Sequence, residues 1–268
     1  MKKALNKKRI PISPRHEQVR YFVNIILGIS LFIVSLLVLD LNLITFISRF
    51  ERFPRVFKSF LGLEFDVIIP GLVQLFVSFA MAIGALFLSS ILALIFSFLV
   101  AENTAPSKII AGILKSFIAV IRAIPNLVLI LMIVATMGLR PIAAVTSLTL
   151  SALGYLTRAF ASTIEEQPKE IEETMKSLGA SWFQKVIHGY FPMVYSSFIS
   201  WISMRLEHSI SDSITLGIIG VGGIGTMLSR AIRQHRFTEV TTLLLLVFFA
   251  VLLIELILNR YKRKQNIY

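Results

Sequence analysis

The chain contains no cysteine among its 268 residues. That absence excludes disulfides, a thiolate nucleophile and thiolate metal ligation. Charge is scarce as well: 16% of residues are Asp, Glu, Lys or Arg, against 56% hydrophobic, and the mean hydropathy is +0.79. Soluble domains carry about a quarter charged residues, so this is a membrane-protein composition with little left for a sizeable soluble domain. Acidic residues are the scarcer sign, 15 against 27 Lys and Arg, which leaves a formal charge of +12. The excess does not point to nucleic acid, because no basic-aromatic module accompanies it. Seven cations lie in the first 21 residues and four in the last nine, each group beside an apolar run. That is the bias of cytoplasmic tails lying against anionic lipid headgroups. Also missing is any G-x-x-x-x-G-K-[ST] run, so the chain is not itself a Walker-type ATP motor.

What is present is a series of long apolar segments. Six spans are expected, at about 22–46, 70–100, 126–138, 142–160, 193–219 and 238–258, giving an all-α membrane protein with both termini in the cytoplasm. The first run lacks a small-x-small cleavage pattern and reads as a membrane anchor rather than a signal peptide. Between the first two spans, residues 47–63 set phenylalanines at helical spacing among Arg49, Arg52, Arg55 and Lys58. This reads as an amphipathic helix in the outer interface, interrupted at Pro54. Lys108, Lys115 and Arg122 recur every seven residues, which reads as an inner interfacial helix with snorkelling cations. Pro125 then breaks the chain before the third span. The expected divisions are a basic tail at 1–21, the first span with its interfacial helix at 22–65, a core at 66–260 containing a polar loop at 161–192, and a basic tail at 261–268.

That polar loop is the most informative stretch. Glu166, Glu170 and Glu173 fall on one helical face, and Glu172 and Lys176 make a favourable i,i+4 pair. Gly179 is the residue type that closes a helix in the left-handed conformation, and Ala180 completes the corner. Ser181 and Gln184 then form a capping box for a second short helix, whose apolar face is Trp182, Phe183, Val186 and Ile187. Phe191-Pro192 opens the next apolar segment. The expected product is two short helices joined at a corner, a stiff knob on which another protein docks.

Span five carries Arg205, Glu207, His208 and Asp212, with Ser211 among them. A charge at bilayer depth costs about 2.5–3.5 kcal/mol on the insertion scale, so these groups face a partner or a cavity. Two readings stand side by side. One is an internal ion pair, Arg205 with Glu207 or with Asp212 of another helix or subunit; the other is the lining of a path for a polar solute. Gly217, Gly220, Gly222, Gly223 and Gly225 follow. They satisfy G-x-G-x-x-G, but at the end of a membrane span, without the strand that a dinucleotide site needs. A bend with close backbone packing is the better reading. His188 and His235 have no partners at metal-ligand spacing, and no Ser-His-Asp arrangement is supported, so no catalytic residue and no metal site are expected.

Glu173-x-x-x-x-Leu178-Gly179-Ala180-Ser181, with Pro192 eleven residues on, resembles the coupling loop of ABC importer permeases of the methionine/maltose type. Arg122-Ala123-Ile124-Pro125-Asn126-Leu127-Val128, Arg205-Leu206-Glu207 and the glycine run from Leu216 to Gly225 resemble the phosphonate branch. The resemblance covers roughly residues 70–260. It implies the ABC importer permease fold, with Glu170, Glu173, Leu178, Gly179, Ala180, Ser181 and Pro192 in the loop that enters a groove of a cytoplasmic ATP-binding subunit. It implies a pathway past Arg205, Glu207, His208, Ser211 and Asp212, a gate or bend at the glycines, and a kink at Arg122 and Pro125. It also implies a substrate-binding protein outside, a second permease copy or paralogue, ATP and magnesium on the partner rather than here, and a bacterial cell-membrane location. The implied cargo is a phosphonate or related small phosphorus oxyanion. The alternatives are another small polar solute, such as an amino-acid-like or organophosphate compound, or an ion-coupled transporter or channel. Two departures stand out. The family's usual Glu-Ala-Ala is Glu173-Thr174-Met175 here, and an Arg followed by a neutral residue is replaced by Ser211-Asp212, which makes the local field less positive.

Overall fold

The structure, a computed structural model, describes residues 15–39, 47, 48, 50 and 53–265. No strand occurs among them. Two compact units divide the chain, Met1–Lys58 and Ser59–Tyr268.

In the first unit α1 covers Arg15–Val38, and its described side chains are all exposed. This helix starts earlier and stops sooner than the expected span; residues 40–46, which were to complete it, lie outside the described residues, as do residues 1–14 of the basic tail. Helix α2 is Phe53–Ser59. Pro54 was expected to interrupt a longer helix, but it sits in the first turn of α2, where the missing N–H has no partner to lose. Phe53 stacks between Phe50 and Phe57 at 5.6 and 5.8 Å. The arginines at 49 and 52 lie outside the described residues.

The second unit is built on two helices, α3 (Ile68–Val100) and, further along, α6 (Pro141–Glu165). Ser78, Ala82, Ala85, Ser89, Ala93 and Ser97 of α3 are all fully buried, as are Ala144, Ser147 and Ala152 of α6. Small residues three, four and seven apart let two backbones approach closely, which is how helices associate where lipid offers no hydrophobic driving force. Three of the buried hydroxyls bond within their own helices, Ser89 Oγ donating to the Leu86 carbonyl, Ser97 Oγ to that of Leu94 and Ser147 Oγ to that of Ala144. Around this pair stand α4 (Lys108–Ala123) and α5 (Asn126–Met137), then α7 (Lys169–Ser177), α8 (Trp182–Gln184), α9 (Phe191–Ile219), α10 (Ile224–Arg233) and α11 (Phe237–Gln265).

Among the described residues three helices are long and apolar enough to cross a membrane, and up to five spans result if each of two bent pairs counts as one. The expected third span is not a span alone. With 12 residues, α5 reaches only about 18 Å, short of a bilayer core of about 30 Å. It is instead the second arm of a pair with α4, bent by 93°. Pro125 forces that bend by holding the residue before it, Ile124, extended at ψ 123°. The expected fourth span, α6, has the length at 25 residues but is rich in small and hydroxyl-bearing residues. It spends its surface on protein neighbours rather than on lipid.

The glycine run makes the second bend, 44° between the helix ending at Ile219 and α10. Gly220, Gly222 and Gly223 hold φ of 110°, 119° and 77°, values that side chains rarely tolerate. Thr226 Oγ1 donates to the Gly217 carbonyl at 2.9 Å, and the Ile224 N–H donates to Ser78 Oγ of α3 at 3.0 Å. A Cβ on Gly225 would strike the Ile214 carbonyl oxygen, and one on Gly217 would lie 2.7 Å from the Gly222 oxygen. Backbone cannot yield as a side-chain tip can, so Gly225→Ala is expected to cost at least the 1–3 kcal/mol or so of an overpacked core. A thermal midpoint unchanged from wild type in detergent would refute this packing account.

Candidate functional site

Two sites emerge, a projection and a cavity. The projection begins where α6 ends. Glu166 caps α6, and Pro168 starts a new helix, α7. Glu166 is therefore not on the same helix as Glu170 and Glu173, contrary to the sequence expectation, because Pro168 disfavours helical geometry at Gln167. Glu172 bonds Lys176 at 2.9 Å and Lys185 at 3.1 Å. These two ammonium groups hold its carboxyl below the ordinary glutamate range. Helix α7 ends with Gly179 at φ 69°, and the Ala180 N–H reaches back to the Met175 carbonyl at 3.0 Å. Ser181 and Gln184 make the reciprocal capping box.

The second short helix does not stop, however. It passes through one wider, π-helical turn at Lys185–Tyr190 and runs straight on into α9. Pro192 explains the turn: it removes the N–H that would bond the His188 carbonyl, and its ring crowds that oxygen. The knob is thus one helix folded back upon the N-terminal extension of α9, with Gly189 leaving room for the Met175 side chain 3.2 Å from where its Cβ would be. Trp182 Nε1 donates to the Thr104 carbonyl at 2.6 Å, and Asn103 Nδ2 to that of Ile164 at 2.6 Å. The first bond fixes the knob to the turn between α3 and α4, and the second ties that turn to the end of α6, from which the knob springs. At its tip Leu178 and Phe183 are 75% and 64% exposed. Bare apolar side chains on a braced corner are what a docking surface requires.

The cavity lies deeper, about 380 Å³ between α4, α5, α6 and α9. Arg205, His208 and Asp212 line it, at positions i, i+3 and i+7 of α9; Glu207 and Ser211 fall on other faces of the helix and do not. Arg205 is buried, at 8% exposure. Its Nη2 donates to Asp212 Oδ2 at 3.1 Å and to Ser151 Oγ of α6 at 3.2 Å, and its guanidinium carbon stands 5.8 Å from the centre of the Tyr155 ring. Its Nε has no partner. The ion pair is thus made with Asp212 of the same helix, where the expectation was a pair with Glu207 or across to another helix or subunit. The paired groups also line the cavity. Arg122 and Pro125 lie on the opposite wall, with Asn126. Sequence reasoning missed Ser151, Tyr155, Thr104 and Ser78. Only Trp182 carried a hint, because an indole N–H packed against protein usually finds an acceptor. No group of three His, Asp or Glu side chains that could hold a metal occurs among the described residues.

Apolar helices packed around a polar cavity, with a braced projection beyond them, are the layout of a multi-pass membrane protein. The chain belongs to the family of binding-protein-dependent transport system inner membrane components, whose pattern matches residues 93–264. Among curated relatives it is 28% identical over 176 residues to the phosphite transport system permease protein PtxC of Stutzerimonas stutzeri, covering 66% of this chain and 64% of that one. It is 29% identical over 157 residues to the phosphate-import permease protein PhnE of Mycolicibacterium smegmatis, covering 59% of this chain and 30% of that one. The chain therefore spans less than two thirds of the length of these relatives. Its fold is that of a subunit of the inward-facing MetNI methionine ABC transporter, with a TM-score of 0.66, 20% identity, and 75% of this chain against 99% of that one.

Proposed function

We propose that this chain is the membrane subunit of an ATP-driven importer for small phosphorus oxyanions, working as a dimer with itself or a paralogue in a bacterial cell membrane. Hydrolysis takes place on cytoplasmic ATP-binding subunits, which carry the ATP and magnesium and seat the knob of Glu170, Glu173, Leu178, Gly179, Ala180 and Ser181. A substrate-binding protein delivers the solute outside, and both termini lie in the cytoplasm. The bend at the glycines of 217–225 borders the outer gate. Spans rock about Pro125 and Pro192 as the ATPases close, moving the cavity between the two faces.

The observation that carries the cargo reading is Arg205, a buried guanidinium on the wall of the cavity, whose Nε has no hydrogen-bond partner. Guanidinium is the side chain best matched to tetrahedral oxyanions, and the names of the relatives, phosphite and phosphate permeases, support the same chemistry. A second reading is favoured by Asp212. A carboxylate beside the guanidinium fits a solute with both signs of charge, an aminoalkylphosphonate or an amino-acid-like compound. Uptake of labelled phosphite, aminoethylphosphonate and methionine by cells with and without this gene, its chromosomal partners present, separates the two. Loss of phosphite uptake on deletion is expected; loss of aminoethylphosphonate uptake alone would favour the solute with both signs of charge, and loss of methionine uptake alone would overturn the phosphorus reading.

A further inference from the structure

A second cavity, about 400 Å³, opens on the knob side of the first. The two share one side chain, Arg122. Lys115 and Arg158 also line the second cavity, with Glu165 the one carboxylate. Glu165 is already engaged, accepting the Glu102 N–H at 2.9 Å and lying 3.7 Å from Lys115 Nζ, while Lys115 also bonds Glu102 at 3.2 Å. Arg122 and Arg158 make no ion pair among the described residues. Thr157 lines the same space, fully buried, and its Oγ1 has no hydrogen-bond partner. Such an atom ordinarily has a partner, and the cavity it lines is also lined by two guanidinium groups without an ion pair, a set of donors suited to an anionic acceptor.

Arg122 is seated there by design of the backbone. Gly154 of α6 is buried, and a Cβ on it would lie 2.9 Å from Arg122 Cγ. The glycine is a notch for the arginine's stem, which holds the charge at the wall between the two cavities.

We infer that the Arg122–Arg158–Thr157 cavity is a second oxyanion site, which takes the solute after Arg205 on its way toward the knob side. This deepens the cargo reading above and rests on it. From Ser151 to Ser162 along α6 is about 16 Å, so an anion would move between two sites rather than cross an apolar gap in one step. Each site can then bind weakly enough to release. The recognised chemistry is a tetrahedral phosphorus oxyanion, whether of a free solute or of a lipid headgroup.

The lack of cysteine supplies the test. Ala119→Cys places the sole thiol of the chain in this cavity, and Phe117→Cys places one on the far face of α4 as a reference. The full chain in phosphatidylcholine nanodiscs is labelled with anionic and with cationic methanethiosulfonates. Relative to the Phe117→Cys reference, the anionic reagent is expected to react about tenfold faster at Ala119→Cys, an effect of about 1.4 kcal/mol. Inorganic phosphite should protect that thiol. Arg158→Gln should remove both the preference and the protection, and Gly154→Val should weaken both without altering any charge. Protection by phosphatidylglycerol nanodiscs with no phosphite added would assign the site to a lipid headgroup. Protection by sulfate but not phosphite would keep the site and overturn the phosphorus reading. Equal rates for the two reagents, without protection by any oxyanion, would overturn the site, while uptake of phosphite at wild-type rates by Arg158→Gln cells would overturn its place on the path and leave Arg205 as the anion contact.

Discussion

Arg205→Gln is expected to lower uptake of phosphorus oxyanions by about a hundredfold, the equivalent of about 2.7 kcal/mol. Hydrogen bonds to charged groups contribute about 1.5–3 kcal/mol each, and the solute would lose a guanidinium able to offer two. The loss has a structural rival, because removing one member of a buried ion pair leaves the other charged and unpaired. Asp212 would be that member, at 28% side-chain exposure. The double variant Arg205→Gln, Asp212→Asn separates the two causes. It restores an uncharged, hydrogen-bonded pair and should recover wild-type levels of membrane protein while leaving uptake lost. Asp212→Asn alone removes the carboxylate that competes with the solute for Nη2, so it should lower the KM for a monoanionic phosphonate. Arg205→Lys keeps the charge but removes Nε and Nη1, so one nitrogen would have to serve Ser151, Asp212 and the solute together. Uptake near wild type in the double variant would remove Arg205 from the pathway and leave the pair as packing.

Which of these features the sequence disclosed follows from how far each signal reaches along the chain. Gly179, the Ser181–Gln184 box and the Glu172–Lys176 pair are set by residues within five positions of one another, and their geometry is legible by inspection. The bends at Pro125 and at the glycines belong to the same class, since each is imposed by a residue's own φ and ψ. What local pattern could not supply were the angles and the partners. The 93° turn that makes α4 and α5 one broken element depends on both helices packing against α6. The hydroxyl and small residues of α6, which depress its apolarity, are explained only by its burial against α3. Pro192 reads in the sequence as the start of a segment because a proline usually is; the structure instead carries the helix into it through the π-turn at Lys185–Tyr190. The cavity needs Ser151 and Tyr155 brought to Arg205 from more than forty residues away, and no spacing rule connects them. Gly154 showed nothing in the sequence, because its role is the space it leaves for Arg122.

Gly179→Asp is expected to abolish coupling between ATP hydrolysis and transport while the protein still folds and inserts. The position has two properties that make the test clean. Its φ of 69° is left-handed, and Asp, with Asn, tolerates that region better than other side chains do. A Cβ there meets no atom within 4 Å, so nothing inside the chain obstructs the new side chain. The substitution should therefore cost the isolated subunit no more than about 1 kcal/mol. What it changes is the tip of the knob, where Leu178 and Phe183 are bare and where the proposed ATPase groove would close around the corner. A carboxylate buried there without a partner costs several kcal/mol, enough to reduce assembly or coupling by two to three orders of magnitude. Gly179→Asn has nearly the same shape and backbone tolerance without the charge, so it should retain a measurable part of the activity. Reconstituted with its ATP-binding subunit, the Gly179→Asp chain should show a thermal midpoint close to wild type and no solute-stimulated ATPase. Full stimulation would mean that the corner does not enter the partner, and the bare apolar tip would then need another occupant. Loss of the folded chain itself would mean that the corner braces the knob rather than docking it, and the bond from Trp182 to Thr104 would not be the brace it is taken for here.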